Sequence, residues 1–150
     1  MAPDPLCVAS LNFAEQLLVW GLRQWMAGRH NWPSVEREFR RACPGAAGIV
    51  AANALADTIG LIAASARRPV TCFPLCSRAI AADEEALIAL VAAVQIHDRC
   101  HAETRARDLM PACMVPVLLE SADVLGAALA AADRRLPPRY AFAPAGTTLH

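Results

Sequence analysis

Between Gly48 and Ala66, small and aliphatic residues recur at steps of three and four: Gly48, Ala52, Leu55, Ile59, Ile62 and Ala66. An α-helix brings residues at that spacing onto one face. No segment shows the strict apolar–polar alternation of a half-buried strand. The same helical period returns elsewhere. Leu18, Leu22 and Trp25 form a stripe flanked by Leu17 and Gly21, with Gln16, Arg23 and Gln24 pointing elsewhere. Val35 and Phe39 share a face, as do Leu87, Leu90, Val91 and Val94. Leu118, Ala122, Leu125, Leu129 and Ala132 make the last stripe, with Val115 alongside.

Punctuation divides these stripes into five to six helices. Asn12 followed three residues later by Glu15 is a capping box, and Gly28 is a C-terminal stop. Pro33 fits the first turn of a second helix, which Pro44 and Gly45 end. Arg67, Arg68 and Pro69 close the third helix. Asp83, Glu84 and Glu85 fill the first turn of the fourth, where negative charge suits the helix dipole and solvent surrounds it. A break at His97-Asp98 starts a fifth helix on an Asp98 cap, and Pro111 separates it from a last helix near Met114 to Arg135. Residues 69 to 81, PVTCFPLCSRAIA, form the longest internal stretch without helical pattern.

Hydrophobic residues make up 56% of the chain and charged residues 19%, so it can bury a core and is not a disordered polymer. Aromatic residues are only 5%. The core must therefore consist mainly of Ala, Leu, Val and Ile, which suits closely packed helices. At 150 residues one domain is expected. The fold class is thus all-α: a compact bundle over residues 12–136, with an arm at 1–11 and a tail at 137–150 expected to be flexible.

Fourteen basic residues balance fourteen acidic ones, and every basic residue is arginine. Nucleic-acid binders carry a basic excess or stripe, so no nucleic-acid partner is expected. The pairs Arg40-Arg41, Arg67-Arg68 and Arg134-Arg135 fall near helix C-termini, where they complement the dipole. The first residues lack a basic segment followed by an apolar run. The most apolar stretch, 46 to 66, carries Asn53 and Asp57, and 86 to 96 is too short to span a bilayer. No membrane partner is expected, and a cytoplasmic location is.

The cysteines number six: Cys7, Cys43, Cys72, Cys76, Cys100 and Cys113. In a reducing compartment they are thiols. Cys72 and Cys76 stand four apart on the internal loop. Three readings fit them: packing residues, a metal site, or a redox pair. Zinc takes four sulfur or nitrogen donors in a tetrahedron, and Cys100, His97 and His101 are the candidates to complete it. A redox pair needs a lowered thiol pKa, which nearby arginines can supply. Cys100 and His101 point in different directions on a helix and do not make a nucleophile–base dyad. No phosphate-binding glycine loop, serine elbow or His-Glu-x-x-His motif is present.

Trp25 belongs to the first helix's apolar stripe and is read as core. Trp20 lies off that stripe. It is either covered by a neighbouring helix or an exposed anchor for a protein partner or for self-association.

The run from Arg67-Arg68-Pro69 through Cys72, Pro74 and Cys76 to Ala82-Asp83-Glu84 resembles a small family of uncharacterised alphaproteobacterial proteins. These are rich in Ala, Leu and Arg and carry a Cys/Pro loop before an Ala/Leu-rich helix. The resemblance spans roughly residues 12 to 136 and implies a helical fold without implying an activity. With no catalytic constellation and no charge asymmetry, the expected function is non-enzymatic: a helical interaction module, homo-oligomeric or an adaptor. The alternative is a metal-binding or thiol-redox protein centred on Cys72 and Cys76, and an enzyme of unrecognised type is the third possibility.

Overall fold

Asn12 opens the first helix as its sequence predicts. Its side chain accepts from the Glu15 N–H at 2.9 Å, and its own N–H donates to Glu15 Oε1 at 2.8 Å. The computed structural model describes residues 7–66 and 68–139. Six α-helices follow in order: α1 Phe13–Ala27, α2 Trp32–Ala42, α3 Ala46–Ser65, α4 Ala82–Gln95, α5 Arg99–Leu109 and α6 Val115–Ala131. Among the described residues the only β-type pairing is one isolated bridge, Cys7 with Ala79. The chain is an all-α single domain.

The helix ends have identifiable chemical causes. Asp98 caps α5 by accepting from the His101 N–H at 3.1 Å. Helices α4 and α6 both end in a left-handed residue that is not glycine, His97 and Asp133, each with φ of 59°. In each case the next N–H reaches back five residues, Asp98 to Ala93 O at 3.0 Å and Arg134 to Leu129 O at 2.8 Å. These paired closures satisfy the last carbonyls. They also stop α6 four residues short of the expected Arg135.

Helix α4 lies at the centre. Every residue from Ala86 to Gln95 is buried. A helix apolar on all sides must be covered on all sides, and α1, α5 and α6 all pack against this one. Helix α3 packs chiefly on α6, and Leu55 and Ile59 on α3, like Leu118 and Leu125 on α6, are essentially without solvent exposure. Helices α2 and α3 approach closely at Gly48, where an added Cβ would lie 2.6 Å from Cys43 O and 2.8 Å from Arg40 Cα.

One sequence expectation changes here. The segments Ala46–Ser65 and Ala112–Ala131 are both long and apolar enough to cross a membrane, each with mean hydropathy 1.6. Asn53 and Asp57 do not remove α3 from that class, because the other eighteen residues outweigh them. Within the fold 44% of each window is buried.

Among the described residues, both ends of the chain make hydrogen bonds to the rest of the fold. The Val8 N–H donates to Arg78 O at 2.8 Å, and Leu11 is buried. At the other end, buried Gln95 donates to Gly126 O and Arg134 O and accepts from the Leu136 N–H at 2.7 Å. Asn12 Nδ2 holds Arg135 O, and Arg139 pairs with Glu15 at 2.9 Å. The chain around Leu136 thus straps the starts of α1 and the ends of α4 and α6. Residues 1–6, Arg67 and residues 140–150 lie outside the described residues.

Candidate functional site

The segment 69–81 has no helix or sheet to satisfy its backbone, so side chains must do it. Arg23, on α1, holds two of its carbonyls. Its Nη1 donates to Ser77 O at 2.8 Å and its Nη2 to Ala79 O at 2.7 Å. The same guanidinium grips Glu84 in the first turn of α4, Nε to Oε2 at 2.6 Å and Nη2 to Oε1 at 2.9 Å. Both side chains are buried. Glu84 also accepts from the Ala81 N–H at 2.8 Å and from the Cys72 thiol at 3.5 Å. Those four contacts fill the acceptor sites of a carboxylate. A charged pair removed from water is tolerable only when its remaining sites are filled in this way.

Asp83 ties down the front of the segment. It takes a bidentate pair from Arg68 at 2.7 and 2.8 Å and the Thr71 N–H at 2.6 Å. The third acid of the turn, Glu85, pairs with Arg105 of α5 at 3.0 Å. The acidic turn is therefore not a solvated helix start. Asp83 and Glu84 are buried, and each of the three acids holds an arginine from a different part of the chain. Likewise Arg68 serves Asp83 instead of the α3 dipole.

The hydrogen bonds from Arg68 hold the Asp83 carboxyl below the usual carboxylate range, against the opposing effect of burial. The unfolded chain has no such pairing. The Asp83 contribution is then present above the unfolded carboxylate value near 4 and is lost as pH falls through the depressed folded value. The unfolding midpoint of the wild type should accordingly fall on acidification below about pH 4. Asp83→Asn should be less stable at pH 7 and should flatten that acid limb. An acid limb equally steep in both proteins would assign it to other carboxylates.

The proposed donors do not assemble. Cys72 lies against Glu84 at the start of α4, whereas His97 follows its end, roughly 20 Å away along the helix axis. Cys76 and Cys100 are exposed. His101 Nε2 donates to Arg139 O at 2.6 Å, and His97 occupies the left-handed closure of α4. Among the described residues no three His, Cys, Asp or Glu side chains stand close enough to hold a metal ion. The set Cys72, Cys76, Cys100, His97 and His101 is thus split between the two ends of one helix. Nor is Cys72 activated. Burial, and then the Glu84 carboxylate, push its thiol up to about 12, opposing the nearby Arg23 charge. A redox nucleophile requires the reverse.

Trp20 has a different setting. It is half-buried on the wall of a cleft of about 480 Å³ between α1 and the 69–81 segment. Arg23 and Leu17 line the same cleft, with Val8 beside them. Phe13 and Leu75 stand at its rim, 51% and 45% exposed. The cleft exists because Arg23 pins Ser77 and Ala79 while Pro74 and Leu75 turn outward, with the Ser77 N–H closing on Pro74 O at 2.9 Å. Trp25, by contrast, is not deep core. It meets Trp32 edge-on at 5.5 Å, and Arg29 covers its face at 4.4 Å.

The sequence marks Trp20 as lying off the main stripe, but it gives no sign that Arg23 and Glu84 meet across 61 positions. The available signal was one arginine on an otherwise apolar part of α1. No family model, curated protein or solved structure matches the chain.

Proposed function

We propose that this chain is a non-enzymatic interaction module that self-associates through the Trp20 cleft. The observation that carries this reading is a preformed cleft, walled by Leu17, Val19 and Trp20 as well as by the polar Gln16, Arg23 and Glu38, with protruding apolar residues on its own rim. Trp20 offers a large, stiff side chain on the wall, and Leu75 projects beside it. Tryptophan in a preformed pocket is the usual energetic centre of an interface. A two-fold pairing puts Leu75 of one copy into the cleft of the other, and the same contact is made twice. The chain's net charge is zero, so two copies meet no long-range repulsion.

The six cysteines are all unpaired, which suits work in the reducing cytoplasm. The likeness of the 69–81 loop to that of the uncharacterised alphaproteobacterial proteins fits the same reading and supplies no competing activity.

Sedimentation velocity across a concentration series tests the proposal. The wild type should shift from monomer to dimer. Trp20→Ala and Leu75→Asp should each remain monomeric while keeping the helical circular dichroism of the wild type. A wild type that stays monomeric throughout the series, or a Leu75→Asp variant that dimerises normally, overturns it.

A further inference from the structure

We propose that the outer groove between α3 and α6 receives an amphipathic helix of another protein, one that carries arginine or lysine beside its apolar stripe. This surface is formed by other helices than the Trp20 cleft and does not depend on it.

On α3, Val50, Ala54, Asp57, Leu61 and Ala64 follow one another at steps of four, three, four and three. That is the spacing of a helix-packing seam. On α6, Val117, Ser121 and Val124 repeat the same steps. The two rows border a groove of about 560 Å³. Its floor is set by small residues and by the Thr58–Ser121 hydroxyl contact at 2.8 Å. Val117 and Val124 are 43% and 48% exposed, so the α6 row begins and ends in apolar side chains with nothing over them. Rows of this kind accept the ridge of a third helix.

Charge identifies the occupant. Asp57 and Glu120 line the groove, and neither has an arginine partner among the described residues. This contrasts with the first turn of α4, where every acid is paired. Two unpaired carboxylates beside an apolar seam fit an apolar helix with basic flanks. They disfavour a second copy of this chain, because a symmetric contact would set carboxylate near carboxylate. The chain's own basic helix α2 cannot serve either, because its apolar residues Val35 and Phe39 are fully buried. A lipid face is disfavoured for the same reason, since carboxylates within hydrocarbon are costly and anionic headgroups repel them.

A display library of amphipathic helical peptides, about five turns long with a fixed leucine stripe, tests this. The flanking positions are randomised among Glu, Gln, Lys and Arg, and the intact protein is the bait. Selected peptides should be enriched in Arg and Lys at the flanks. Val124→Asp, an exposed change, should abolish their binding. Asp57→Asn with Glu120→Gln should weaken it about tenfold or more. Enrichment of acidic flanks, no enrichment at all, or binding that Val124→Asp leaves intact would each overturn the proposal. So would co-sedimentation of the wild type with phosphatidylcholine vesicles that Val124→Asp removes, which would make this a lipid-binding face.

Discussion

Glu84→Ala should lower the unfolding free energy by about 3–5 kcal/mol, as should Arg23→Ala. Either change strands its partner as a buried ion, with side-chain exposures of 3% for Arg23 and 0% for Glu84. The loss of Glu84 also leaves the Ala81 N–H without its acceptor and the Cys72 thiol with Phe73 O alone. The loss of Arg23 also removes its hydrogen bonds to Ser77 O and Ala79 O. The two changes should be strongly non-additive. Replacing both residues with apolar ones, Arg23→Met with Glu84→Leu, removes two charges together and should recover much of what either single change loses. Stability should not return in full, because the 69–81 segment then has no guanidinium to hold it. Proteolysis near Leu75 should therefore be faster in the double variant than in the wild type. Urea unfolding at pH 7 reads the energies. Single changes costing less than about 1 kcal/mol, in the range of an exposed ion pair, would mean that the pair is hydrated.

Leu55→Ala or Leu125→Ala should cost about 2–5 kcal/mol, through lost apolar burial and the cavity left behind. Both side chains are fully buried in the core. An added Cβ at Gly21 would come within 2.6 Å of Leu55, so α1 presses on the same point and the site has little room to collapse. Val124→Ala is the matched control. It removes an aliphatic side chain from the same pair of helices on the exposed face, and should change stability by no more than about 0.5 kcal/mol. Equal effects for Leu125→Ala and Val124→Ala would show that the inward and outward faces of α6 are reversed.

Much of the helical architecture is set within a few residues of each boundary. Asn12 with Glu15, Pro33 in the first turn of α2 and Asp98 before α5 act through hydrogen bonds and backbone angles confined to one turn. Such effects can be read without knowing what lies elsewhere. The burial of α4 was also available, because Ala86 to Val94 contains no polar residue on any face. The periodic stripes placed Leu55, Ile59, Leu118 and Leu125 inside, because a helix with one apolar face has one way to remove it from water.

The sequence by itself thus determined the class of fold, the approximate span of each helix and most of the core. The tertiary structure decided everything that depends on which residues meet across distance. Asp83, Glu84 and Glu85 read as a solvated helix start because negative charge there is favourable with no partner at all. Only packing α4 at the centre brings Arg68, Arg23 and Arg105 to them and buries Asp83 and Glu84. Cys72 and His97 looked like ligands of one site because sequence carries no ruler, and a helix of fourteen residues then separates them. The Trp20 cleft arises in the same way. Its wall is local to α1, but its opposite side is a loop whose position is fixed by a guanidinium 54 and 56 positions earlier in the chain. Periodicity assigns a residue to a face, but the contact that face makes is settled by the packing of the whole chain.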